Sequence, residues 1–364
     1  MASVFFAFAL CVFITTTLGN EQNNVINLRE IAEKVNSDPD STWKASAYGQ
    51  EFIDTNEFVK NRLGLQLPID LKNIDPNSNA NQFFTGPKKS KITKVGAMQY
   101  LPLEYDARKY YSKCRSIGLI RDQSNCGSCW AVSAASVFSD RICIHSEGRY
   151  NFSLSGHYTM SCDKRNYGCN GGYLDKVWKF YYETGCITGG EFQSDEGCQD
   201  YGLKHCGRFP KKYPCSMPLA YTPRCLKTRC TNEWYKYTKE KDIFTVDDYY
   251  QVGDTYITLF NEFLIKDEIL TNGPVQAGFL VYKDFVTYKS GIYNHKPYFW
   301  EDFDDILGGH AVKIIGWGEE KGVKYWIVAN SWTEEWGEKG TFRIARGKNN
   351  CFIESMVYAG IPDI

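Results

Sequence analysis

Arg121 to Phe138 read RDQSNCGSCWAVSAASVF: two cysteines, Cys126 and Cys129, stand three positions apart immediately before an apolar run. The continuation AVSAASVFSDRICI sets Ala, Val, Phe and Ile so that few faces are left for water, which predicts a buried helix beginning at about Ser128 or Cys129. Cys129 then stands at a helix N-terminus, where unpaired N–H groups and the helix dipole favour a thiolate and a neighbouring imidazolium favours it further. A redox couple of the two cysteines requires an alternating β/α pattern around them, and none flanks the stretch. A zinc site requires two more ligands at metal spacing, yet the chain has 5 histidines and no second C-x-x-C pair. Neither a metal nor an organic cofactor is expected.

Two distant segments strengthen the nucleophile reading. GGHAVKIIGWG supplies His310, and YWIVANSWTEEWGEKG supplies Asn330, each at or near the end of an apolar, strand-like run whose end can face a cleft. A lone histidine on such a run is more often a core residue than a base. Cys, His and Asn together, in that order, are much harder to reach by chance.

The rest of the chain supplies the setting. Its 364 residues, 43% hydrophobic and 15% aromatic, suffice for a large globular core. With 42 Lys plus Arg against 43 Asp plus Glu, nothing draws the molecule to nucleic acid or anionic lipid. The opening MASVFFAFALCVFITTTLGN is apolar, too short to span a bilayer, and ends in small residues, so residues 1–19 read as a signal peptide. Secretory routing follows, to a lysosome-like compartment or the exterior, with no membrane association once the signal is removed. Leu28, Ile31, Ala32 and Val35 fall at helical spacing behind Asn27, and a second helix carrying Phe58, Val59 and Leu63 stops at Gly64. The polar stretches NIDPNSNANQ and GPKKSK follow. Residues 20–100 thus read as a cysteine-free propeptide and linker ahead of a mature region, 101–364, with processing near Tyr100–Leu101. Cysteines crowd residues 114–230, whereas 241–364 hold only Cys351 and read as strands, for example HAVKIIGW, KYWIVAN and GTFRIA. An α+β fold of two lobes is expected, a helical disulfide-rich one at about 114–240 and a β-rich one at about 241–355, with the site in the cleft between them.

At these residues the chain resembles the papain-family cysteine proteases, and among them the cathepsin B-like ones; Cys126 to Trp130 match the family signature C-G-[SA]-C-[WY]. The resemblance implies that Cys129 is the nucleophile, His310 its acid–base partner, Asn330 the residue orienting the imidazole and Gln123 an oxyanion donor. It implies a substrate lying extended along Gly171 and Gly172, further contacts from Ala311, Gly278 and Met356, and Trp332 covering the His–Asn pair. It also implies the disulfides Cys114–Cys143, Cys126–Cys169, Cys162–Cys225, Cys198–Cys230 and Cys206–Cys215, leaving Cys129, Cys186 and Cys351 free. The partners implied are protein or peptide substrates, the chain's own propeptide as inhibitor, and cystatin-like inhibitors.

Four departures from that pattern carry expectations. Segment 198–230 resembles an occluding loop but lacks its paired histidines; His205 precedes Cys206, and Arg208 and Phe209 follow it. A lid without that latch is expected to open readily, so endopeptidase action is expected to outweigh removal of C-terminal dipeptides. Met356 stands where an acidic residue often accepts Arg at the second non-primed position (P2), which implies a preference for apolar residues there. Asp163 follows Cys162 where the family often has a second cysteine. The run NHKPYFWEDFDDILGGH before His310 is long for the family. Asn151-Phe152-Ser153 is a glycosylation sequon, making Asn151 a candidate for modification. The different-class alternative is a catalytically dead homologue that binds peptides or partners.

Overall fold

The computed structural model describes residues 25–48, 52–54, 62–67, 101–205, 220–226, 230–253, 260–295 and 305–364. The signal segment, the polar linker, most of the second leader helix, Cys206, Arg208, Cys215 and residues 296–304 lie outside them.

The leader contributes β1 (Val25–Asn27), α1 (Leu28–Ser37), β2 (Trp43–Ala45) and β3 (Phe52–Asp54). Asn27 caps α1 as its position suggests: its side chain accepts the Glu30 N–H at 3.0 Å, and Leu28 and Ala32 turn inward. The body opens with β4 (Tyr105–Asp106) and α2 (Ala107–Tyr110), followed by α3 (Cys129–His145), α4 (Gly156–Cys162) and α5 (Leu174–Glu183). After them come β5 (Val246–Gln251), α6 (Asn261–Asn272), β6 (Val275–Tyr282), β7 (Tyr288–Tyr293), β8 (Ile306–Glu320), β9 (Val323–Ala329), β10 (Thr341–Ala345) and β11 (Met356–Pro362).

Nine strands form one open sheet in the order β2-β7-β10-β9-β8-β6-β11-β5, with β4 paired to β8. All neighbours are antiparallel except β7 and β10. The outermost strand, β2, belongs to the leader; Trp43 stands opposite Gly291 and Lys44 opposite Ser290. Two apolar cores result. One gathers α3, α4 and α5 around Trp130, Phe138, Trp178 and Tyr181. The other lies on the sheet around Phe279, Phe285, Trp326, Trp336 and Phe342. Helix α3 begins where the two cores meet, and its residues from Cys129 to Cys143 are all buried.

Disulfides Cys114–Cys143, Cys126–Cys169, Cys162–Cys225 and Cys198–Cys230 are formed. Cys129, Cys186 and Cys351 are free and buried. Where a further local cystine is absent, Asp163 closes the turn with its carboxylate, which accepts the Arg165 N–H at 3.0 Å and Nδ2 of Asn166 at 2.8 Å. Both ends of the Asn151 amide are already engaged: Oδ1 accepts the Arg115 N–H at 3.1 Å and Nδ2 donates to the Lys113 carbonyl. Among the described residues no helix is long and apolar enough to cross a membrane.

Candidate active site

Three elements bring the predicted residues together. Cys129 is the first residue of α3, His310 lies within β8, and Asn330 immediately follows β9. The imidazole Nε2 donates to Asn330 Oδ1 at 2.8 Å, and the Trp332 ring packs on the imidazole with centroids 4.8 Å apart. Trp332 is buried and walls off the His310–Asn330 contact. The Cys129 sulfur receives backbone hydrogen bonding from Ala311, next to His310, and from the start of its own helix. Gln123 is fixed by Ser331, whose hydroxyl donates to Oε1 at 2.7 Å and whose carbonyl accepts the Gln123 N–H at 3.1 Å. That turns Nε2 toward the cleft.

The leader fills this site. Nε2 of Gln123 donates to the Arg62 carbonyl at 3.1 Å as well as to the Cys126 carbonyl at 2.8 Å. Gly64 accepts the Gly172 N–H at 2.8 Å, and Gln66 donates its own N–H to the Gly172 carbonyl at 2.9 Å. On the opposite wall the Leu65 N–H donates to the Gly309 carbonyl at 3.1 Å. Leu65 bridges Gly172 in parallel and Gly309 antiparallel, so the segment is a strand wedged between the two walls. Such closeness requires Gly171: a Cβ there would meet Nε2 of Gln66 at 2.6 Å and the Gly64 carbonyl oxygen at 2.7 Å.

Register builds the adjoining pocket. Gly278 on β6 stands opposite Ala311 on β8 and Met356 on β11, which brings three predicted contact residues level across neighbouring strands. A Cβ on Gly278 would meet Leu65 Cδ2 at 2.6 Å, Met356 Cβ at 3.3 Å and Leu174 Cδ1 at 3.5 Å. The pocket is therefore apolar and holds the leader's leucine. Arg62 lies at the reactive residues and Leu65 in the pocket, so the leader runs away from Cys129 toward the pocket. A chain presenting its carbonyl to Cys129 with earlier residues in that pocket must run the other way.

Covering the site changes its charge state. Burial pushes the Cys129 thiol up to about 11, although the backbone N–H groups of Ala311, Gly64 and Trp130 oppose the shift. Burial also pulls His310 down to about 4; the Asn330 hydrogen bond resists, and the nearby Arg62 charge adds to the depression. Under the leader both groups are neutral between those values. The thiolate expected from the helix position is thus suppressed by desolvation.

Asp122 joins leader and loop. Its carboxylate lies 3.7 Å from the buried Arg62 guanidinium and 3.3 Å from Nδ1 of His205. The expectation of a loop without a histidine latch therefore needs correction: His205, on the near side of Cys206, reaches the body through Asp122, although its side chain remains 49% exposed. The sequence reading names the leader as inhibitor but not the residues of it that fill the groove. Their signal was present, because Leu63, Leu65 and Leu67 alternate with a strand's period directly after Arg62.

Comparison with known proteins agrees with this geometry. A family model described as "Papain family cysteine protease" matches residues 101–361. A "Cathepsin B-like cysteine proteinase" of Schistosoma japonicum is 37% identical over 349 residues, covering 95% of this chain and 94% of the relative. "Cathepsin B-like cysteine proteinase 4" of Caenorhabditis elegans is 42% identical over 268 residues, covering 72% of this chain and 76% of the relative. Among solved structures, procathepsin B S9 from Trypanosoma congolense superposes with a TM-score of 0.68 at 31% identity, covering 92% of this chain and 98% of that one.

Proposed function

The chain belongs to the papain family of cysteine proteases and is cathepsin B-like, and from that footing we propose that it is a zymogen whose leader, residues 20–100, is removed to free a thiol endopeptidase. Cys129 attacks the scissile carbonyl, and a bond forms between its sulfur and the carbonyl carbon. The resulting oxyanion takes hydrogen bonds from Gln123 Nε2 and the Cys129 N–H. His310, held by Asn330, carries the proton and delivers it to the leaving amine as the peptide bond breaks. Water, deprotonated by the same imidazole, then cleaves the thioester. The observation that carries this reading is the leader carbonyl of Arg62 on Gln123 Nε2, since a backbone carbonyl already occupies the place a scissile carbonyl requires.

Leu65 in the Gly278–Met356–Leu174 pocket supports an apolar P2 residue in substrates. Endopeptidase action dominates in this reading, because the histidine contact of the loop is a single His205–Asp122 pair whose imidazole is half-exposed, and such pairs hold weakly. Four disulfides and the apolar segment 1–19 fit the secretory route, ending in a lysosome-like compartment or outside the cell. A groove that accepts a wedged strand also suits cystatin-like inhibitors. The test is labelling with a thiol-directed epoxide: one equivalent bound at Cys129 after leader removal, with hydrolysis abolished by Cys129→Ala, is expected. Absence of labelling in the processed protein would leave a peptide-binding homologue instead.

A further inference from the structure

Beyond the apolar pocket the groove has a feature that the reaction scheme leaves unused. After Leu65 the leader places Gln66 over the next stretch of wall, where its Nε2 donates to the Asn170 carbonyl at 2.9 Å. A substrate with its second residue in the pocket sets its third there, whichever way the chain runs. Two tyrosines flank that wall. Tyr167 donates its N–H to the Gly171 carbonyl at 2.9 Å, and Tyr173 follows Gly172 directly, with both backbone polar groups held by the Asn166 amide. The ammonium of Lys176 stands 3.9 Å from the Tyr173 ring centroid and 5.7 Å from that of Tyr167. Such a seat holds a long side chain in place without neutralising it.

The surrounding charges do not cancel it. Glu183 is shared by Arg165 and Lys179. Among the described residues no carboxylate lies in ion-pair contact with Lys176; Asp175, its sequence neighbour, and Asp163 feel its charge only at longer range. Lys176 also lies in the first turn of α5, the end at which a helix presents its positive pole.

We propose that Lys176, seated on Tyr173 and Tyr167, is a specificity residue that makes the third non-primed subsite select an acidic side chain. The inference rests on the peptidase reading above. Its test uses the full chain after leader removal and three fluorogenic peptides with Leu at the second position and Glu, Gln or Lys at the third, together with a two-residue substrate that stops at the leucine. Native protein is expected to favour Glu over Lys in kcat/KM by about three- to tenfold at low ionic strength, with the ratio shrinking in high salt. Lys176→Glu reverses the order and Lys176→Met levels it, while all three proteins turn over the two-residue substrate equally. A Glu-to-Lys ratio near one in native protein, or an unchanged ratio in Lys176→Glu, overturns the inference and leaves the peptidase reading standing. Failure on every substrate, the two-residue one included, overturns both.

Discussion

The Arg62 carbonyl accepts a hydrogen bond from Nε2 of Gln123 at 3.1 Å. The group that the proposed mechanism offers to a developing oxyanion is thereby held by a leader carbonyl, on a segment that runs backwards and sends Leu65 into the pocket. Gln123→Ala should lower kcat of the processed protein by about 10²–10³-fold with little change in KM, since that donor acts chiefly on the transition state. Steady-state kinetics beside titration of the reactive thiol separates this from misfolding; a full thiol count with unchanged kcat would refute the role.

The proposed inhibition requires the leader to pass close to Gly127. A Cβ on Gly64 would lie 1.8 Å from the Gly127 carbonyl oxygen, so Gly64→Ala cannot keep the present path. Unprocessed Gly64→Ala protein should label at Cys129, whereas the unprocessed native chain should not. Equal protection of the two would mean that the leader blocks access elsewhere.

Acid should loosen the leader. His310 has its folded value lowered from 6.5 to about 4, so the covered form binds fewer protons than an open one. Covering is unopposed by His310 above about pH 6.5 and becomes progressively disfavoured as pH falls toward 4. Cys129, pushed up to about 11, is a neutral thiol in the covered form throughout that window. The rate of thiol labelling in the unprocessed chain should rise by about 10- to 100-fold between about pH 7 and 4.5 when corrected for the reagent's own pH dependence. A flat profile would remove His310 as the cause.

The loop should respond in the opposite sense. Its hydrogen bond to Asp122 raises the His205 value above 6.5, so attraction across the pair is complete below that pH and fades as pH rises through the raised value. Cleavage within a long peptide, measured against dipeptide loss from a free C-terminus, should therefore gain share from about pH 5 to 8. His205→Ala should remove the trend and start at the higher share. A trend surviving that substitution would place the latch at another residue.

Pocket chemistry gives the fifth expectation. Met356→Glu puts a carboxylate beside the space now filled by Leu65, and should raise kcat/KM for Arg at P2 by about tenfold or more while lowering that for Leu. A dipeptide substrate series reads both; no change for Arg would mean that P2 lies elsewhere.

Much of this was legible in the sequence, for identifiable reasons. The run after Cys129 carries apolar or small residues round most of its surface, so burial leaves a helix as its stable form, and β8 to β10 carry the apolar continuity of covered strands. The Cys–His–Asn set could be placed because each residue sits at or near an element whose period is strong. Strand β2 could not: three residues form it, and its partner β7 lies far along the chain. The His205–Asp122 contact spans 83 positions and depends on how the loop folds back, which no local pattern encodes. The neutral thiol escaped for another reason. Helix position predicts a shift downward, and only the packed leader shows that desolvation outweighs it.

The strand that Trp43–Ala45 lends to the sheet has a cost that falls due later. Its loss unpairs one side of Tyr288–Tyr293 and uncovers Tyr288 and Tyr293, on which the Trp43 ring now rests at 6.1 and 5.1 Å. Under the proposed removal of the leader, the liberated molecule starts out with a raw sheet margin that its precursor lacks.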